Sequence, residues 1–167
     1  MELLMKEFDV STGEVKKASP GAVITAHALG SCVGVAAFNI LTGEGAIAHV
    51  MLPGSSPGAI PGPDTRYTVD ALERLLEVLA PTGPANENIR IALAGGANVL
   101  QRPDDAIGRD NIRSLRRECE KRTIAIIRED VGGEDRRKII LDVSTGKLYC
   151  YKGDGSPVIL AWFRNEK

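Results

Sequence analysis

The chain has 167 residues, 43% of them hydrophobic, and a formal net charge of −1. That is enough chain for one domain, residues 1–167, with a real core, and the near-neutral balance gives no field to draw nucleic acid or a membrane surface. Aromatic residues make up only 4%, which disfavours a base-stacking surface, and no apolar run approaches the roughly 20 residues of a spanning helix. The amino terminus, "MELLMKEFDV", mixes charges into its apolar residues and does not read as a signal peptide. A cytoplasmic protein without membrane insertion is expected, and its three cysteines, Cys32, Cys119 and Cys150, are expected as thiols.

In chain order, a short amino-terminal strand comes first. "GAVITAHALG" and "VGVAAFN" follow as strands, separated by a turn of small residues at Gly30 to Cys32. "LTGE" turns the chain into a third strand, "GAIAHVMLP". The next segment, "GSSPGAIPGPDTR", is a proline-rich loop without periodicity, a candidate functional loop. From Tyr67 to Leu79 the spacing of Val69, Leu72, Leu75, Leu76 and Leu79 predicts an amphipathic helix, closed by "PTGP". "IRIALAGG" predicts a buried strand, and "GRDNIRSLRRECEKR" a second helix with Ile112, Leu115 and Cys119 on its apolar face. Four more strands, "TIAIIRED", "RRKIILDVS", "KLYCYKG" and "PVILAWF", complete a chain of about eight strands and two helices. Strands joined by short turns imply an α+β layered sandwich, largely antiparallel, with both main helices on one side.

The turn "GSCVG" places Cys32 among small residues. It has the G-x-C-x-G form of a nucleophile elbow, but an elbow needs a helix directly after the nucleophile and here a strand follows. The surviving arrangement has Cys32 between two strands and His49 on the next strand of the same meander. An imidazole beside a thiol lowers its pKa and creates the nucleophilic thiolate, and the backbone amides of Ser31, Cys32 and Val33 could hold an oxyanion. An inert cysteine and a core histidine are the alternative. His27 is the rival base, and a metal site from Cys32, His27 and His49 lacks any recognised ligand spacing. Cys119 and Cys150 read as structural.

These blocks together, "LGSCVGVAAFN", "GAIAHVMLP", "LAGGAN", "IGRDNI", "EDVGG" and "RRKIILDVSTGKL", resemble the CheD family of chemoreceptor glutamine deamidases in order and spacing, from about Val23 to Leu148. The resemblance implies a three-layer α/β/β sandwich similar to the toxin deamidases. It puts the family's nucleophile on Cys32 and its histidine on His49, for hydrolysis of receptor glutamine side chains to glutamate without a cofactor or metal. It also implies methyl-accepting chemoreceptors as substrates and a CheC-type phosphatase as a partner. Where the family carries a threonine before the cysteine, this chain has Ala26, with Thr25 one residue earlier. A one-residue offset reverses the face of a strand side chain, so either a bulge returns Thr25 to the site or another group such as His27 or water orients the imidazole. The loops "GSSPGAIPGPDTR" and "GGANVLQRPDDAIG" border the expected shallow cleft, with Gly95, Gly96 and Asn111 as candidate substrate or partner contacts, or else as an ordinary turn and a helix start. A non-catalytic adaptor for the phosphatase or receptors is the competing expectation. A papain-like cysteine protease lacks its sequence signature here.

Overall fold

A computed structural model describes residues 4–58, 62–83 and 86–165. Its strands are β1 (Lys6–Asp9), β2 (Val15–Ala18), β3 (Ala22–Leu29), β4 (Val33–Asn39), β5 (Gly45–Val50), β6 (Ile89–Gly95), β7 (Ala125–Val131), β8 (Arg137–Asp142), β9 (Lys147–Lys152) and β10 (Val158–Trp162), with helices α1 (Thr68–Leu79) and α2 (Ile107–Lys121). They form two five-stranded sheets, β1-β3-β8-β9-β10 and β2-β5-β4-β6-β7. The second sheet is the middle layer. Every residue of β4 and β5 is buried, as continuous apolar runs covered on both faces must be.

The two faces of β4 show how the layers divide. Val33, Val35 and Ala37 join Ala46, Ala48 and Val50 against Leu72, Leu75 and Leu79 of α1 and Ile112, Leu115 and Cys119 of α2. Ala36 and Phe38, with Ile47, face the other way and pack on Ile24, Ile139, Leu141 and Leu148 of the outer sheet. Phe38 also stacks on Phe163, ring centroids 5.6 Å apart. The small side chains along β4 let the layers approach closely. The architecture is the α+β sandwich expected, with α1 and α2 on one side.

Three features differ from the sequence-based expectation. The amino-terminal region supplies two strands, one to each sheet, where a single strand was expected. Within the described residues β1–β3 and β6–β7 pair in parallel, the latter across α2, because a strand–helix–strand connection returns the chain in the same direction. Most consequentially, β3 and β4 are not neighbours in one meander. β3 pairs with β1 and β8 in the outer sheet, β4 with β5 and β6 in the middle one. The Gly30–Cys32 turn is therefore the crossing from one sheet to the other. A bulge between Ala26 and Leu29, with Ala28 at φ +53°, bends β3 into it. α1 buries Asp70 beside its apolar stripe. Of the "PTGP" stop, Pro84 lies outside the described residues.

Candidate functional site

The crossing turn is held by its carbonyls. Gly96 N–H donates to Cys32 O at 2.8 Å and Ala97 N–H to Gly30 O at 2.8 Å. Between them, Nδ2 of Asn111 on α2 donates to Ser31 O at 3.0 Å and to Met51 O at 3.1 Å. The amides of Ser31 and Cys32 have no acceptor among the described residues. The third candidate amide, on Val33, opens β4 opposite Val50, and with Cys32 O held from the β6 side it faces β5. Cys32 is half-buried, and its side chain packs against the core between the sheets. Burial alone pushes its thiol above the ordinary range.

His49 lies on the same face of the middle sheet. It pairs with Gly34, and continuing that register puts Cys32 diagonally beside it, a spacing of roughly 7–8 Å between backbones. Gly34 has no side chain to stand between them. His49 is 4% exposed. Its Nδ1 lies 3.1 Å from Val10 O. A carbonyl only accepts, so Nδ1 carries the proton and Nε2 presents a lone pair. That Nε2 is buried, has no partner among the described residues, and faces away from Val10. Burial pulls His49 below its ordinary value, with the Val10 hydrogen bond opposing. Burial thus pushes the thiol up and the imidazole down, whereas the sequence suggested a thiol acidified by its neighbour. Desolvation disfavours either charged form.

Other expected residues take different places. Ala22, Ile24 and Ala26 are buried in the core between the sheets, so Thr25 turns to the outer face of β3. The bulge begins only after Ala26 and leaves that facing unchanged. Thr25 does act through its backbone: its carbonyl accepts from Val10 N–H at 2.8 Å, and Val10 in turn holds the imidazole. His27 is exposed, with Nε2 3.2 Å from Asp9 Oδ1. Cys119 and Cys150 are both 1% exposed, and burial pushes their thiols up to about 12 and about 11.

Gly95 and Gly96 do provide a close backbone approach. A Cβ on Gly95 would lie 2.3 Å from Cys32 O, and one on Gly96 2.5 Å from Ile112 Cδ1. Asn111 is fully buried and belongs to the second turn of α2, where it clamps the turn and caps no helix. A buried asparagine in register with Leu115 and Cys119 was the available signal, a polar residue on an apolar stripe. The Val10 carbonyl had none, because main-chain acceptors leave no mark in composition.

The first candidate loop, 54–66, is anchored by Asp70, which accepts from Ser56 Oγ at 2.5 Å and from the amides of Ser56 and Asp64 at 3.1 and 3.0 Å. Its residues 59–61 lie outside the described residues. Met51, Val99, Leu100 and Ile107 expose apolar side chains, and Val99 lies beside the crossing turn, its Cγ2 3.6 Å from where a Cβ on Gly30 would sit. A separate cleft of about 450 Å³ lies between α2 and the ends of β6 and β7, lined by Gly96, Ala97, Arg109, Arg113 and Gly132. Neither Cys32 nor His49 lines it. No helix among the described residues is long and apolar enough to cross a membrane.

A family model described as "CheD chemotactic sensory transduction" matches residues 51–152. That stretch holds the Asn111 clamp and follows Cys32 and His49 in the chain. Relatives match more widely. A probable chemoreceptor glutamine deamidase CheD of Chlorobium luteolum is 40% identical over 149 residues, 89% of this chain and 74% of the relative. Proteins of the same description from Thermococcus kodakarensis and Pyrococcus abyssi are 32% and 31% identical, covering 94% and 93% of this chain and 99% and 98% of theirs.

Proposed function

The chain belongs to the CheD family, and on that premise we propose that it is a chemoreceptor glutamine deamidase, a hydrolase working through Cys32 and His49. The observation that carries the reading is the committed tautomer of His49. With Nδ1–H donated to Val10 O, the buried and unpartnered Nε2 is a base on the face that also holds the half-buried thiol.

The reaction proceeds in two halves. Nε2 takes the Cys32 proton as the sulfur attacks the side-chain carboxamide carbon of glutamine, and the developing oxyanion is received by the Ser31 and Cys32 amides, with Val33 beside them. Protonated His49 gives its proton to the departing nitrogen, the C–N bond breaks, and ammonia leaves a thioester. His49 then takes a proton from water, hydroxide attacks the thioester carbon, and breaking the C–S bond releases glutamate and restores the thiol. No cofactor or metal is required by this balance.

A half-buried thiol on a turn with the exposed apolar side chain of Val99 beside it suits a folded helical substrate better than a free amino acid, which would need a closed pocket. Receptor signalling helices lie in the cytoplasm, which is where this protein would act.

The outward Thr25 favours a second reading, an adaptor that binds a CheC-type phosphatase or receptors with little turnover. Purified receptor cytoplasmic fragments separate the two. The deamidase reading expects ammonia release and a one-dalton mass gain at glutamine, both abolished by Cys32→Ala and reduced at least 10³-fold by His49→Gln, a general-base loss. Binding of receptor or phosphatase without any ammonia would establish the adaptor and reject the enzyme.

A further inference from the structure

We infer that Asn111 is a positioning residue for the reaction: it aims the Cys32 amide at the oxyanion and fixes that amide relative to the strand bearing His49. The inference rests on the deamidase reading above. Ser31 O and Cys32 N–H belong to one planar trans peptide unit, so they point in opposite directions. Whatever grips the carbonyl sets the line of the N–H. Asn111 grips it from α2, at 3.0 Å. The amide of Cys32 is therefore driven away from α2, toward the face between the sheets where the sulfur also packs. Sulfur and oxyanion donor then address one carbonyl group from the same side.

The second hydrogen of the same Nδ2 reaches Met51 O at 3.1 Å, two residues beyond His49. One planar amide thus ties the nucleophile turn to the end of the base's strand. Its orientation is forced, because both targets are carbonyl oxygens and only the NH2 side can face them. Oδ1 is left buried and without a partner among the described residues, which a residue kept only for packing would not require; leucine would fill the same position in the apolar stripe. Aspartate, of equal size, offers oxygens where two donors are needed.

Two reactions of Cys32 separate this role from simple structural support. Acylation by p-nitrophenyl acetate forms an S–C bond at a carbonyl, passes through an oxyanion and expels nitrophenolate. Alkylation by iodoacetamide displaces iodide from a saturated carbon and has no oxyanion. In Asn111→Asp, acylation is expected to fall about 100-fold relative to alkylation, the lower end of the 10²–10³ seen when an oxyanion donor is lost. In the neutral variant Asn111→Ser the pH midpoint of alkylation stays where it is in the unaltered protein. With receptor fragments, kcat of Asn111→Asp falls by the same factor and KM holds. Asn111→Ser, which keeps one donor, gives a smaller loss. Equal loss of both rates, or loss of neither, overturns the inference. So does a failure of both variants to fold, which would make Asn111 purely structural, and so does a starting protein that alkylates but never acylates. A protein that acylates yet releases no ammonia from receptors rejects the deamidase reading alone, and the ratio of rates still decides the role of Asn111.

Discussion

Gly95→Ala should displace the nucleophile turn by a calculable amount. The new Cβ would lie 2.3 Å from Cys32 O, 3.2 Å from Leu29 Cβ and 3.3 Å from Val33 Cα. Carbon and carbonyl oxygen come no closer than about 3.3 Å without repulsion, so turn and strand must part by about 1 Å. All three obstacles are backbone or Cβ atoms with no rotamer to escape into. A 1 Å error at a reacting centre costs about 10²-fold in rate. Stability falls as well. Gly95 has φ +114°, where alanine is strained by about 1–3 kcal/mol, and overpacking adds about 1–3 kcal/mol. Gly21→Ala is the matched control, since Gly21 has φ +96° and nothing within 4 Å of its would-be Cβ. It carries the backbone strain without the collision. Thermal unfolding and ammonia release from receptor fragments, measured on both variants, test the reasoning. A Gly95→Ala protein with undiminished kcat, or one no less stable than Gly21→Ala, would refute it.

Three further outcomes are expected. Brief alkylation of the native protein should label Cys32 alone by peptide mass spectrometry, because Cys119 and Cys150 are sealed and their thiols lie at about 12 and about 11; the Cys32 rate should rise with a midpoint above the usual thiol value of about 8.5. Burial holds the folded pKa of His49 below 6.5, so the stability present above pH 6.5 is lost as pH falls through the folded value; denaturant unfolding at neutral pH and at about pH 5 should show this loss shrink in His49→Gln. Burial raises the Asp70 carboxyl, but the hydrogen bonds from Ser56 and the Asp64 amide outweigh it and hold the group below 3.8. Its contribution is therefore present above pH 3.8 and disappears as pH falls through the folded value, and Asp70→Asn should cost about 1.5–3 kcal/mol at neutral pH in the same assay.

Much of the layering was legible because it is carried by side-chain periodicity. The stripe of Ile112, Leu115 and Cys119 placed α2, and the apolar run "IRIALAGG" marked β6 as a buried strand. What periodicity cannot carry is partner choice. β3 and β4 are both apolar and joined by a short turn, the pattern of a hairpin, yet the bulge at Ala28 sends them into different sheets. β2, with two lysines in four residues, looks too polar for a strand of the middle sheet; it is an edge, where such residues belong. In the candidate site, residue type and flanking composition singled out Cys32 and His49 but left an inert cysteine and a core histidine equally open, and only the family resemblance gave them roles. The group that orients His49 could not be named, because it is the carbonyl of Val10, and the offset at Ala26 directed attention to a hydroxyl that faces elsewhere.

The crossing of the chain between sheets makes chemical competence a report on tertiary docking. On the proposed mechanism the base, His49, stands on the middle layer, the Val10 carbonyl beside its Nδ1 follows β1 of the outer layer, and the Cys32 sulfur rides the turn that joins β3 to β4. A partly melted state with every strand still paired but the layers slipped would show an ordinary far-ultraviolet spectrum and no turnover. Heat or denaturant should therefore extinguish catalysis before secondary structure, whenever the two layers loosen ahead of their own ladders.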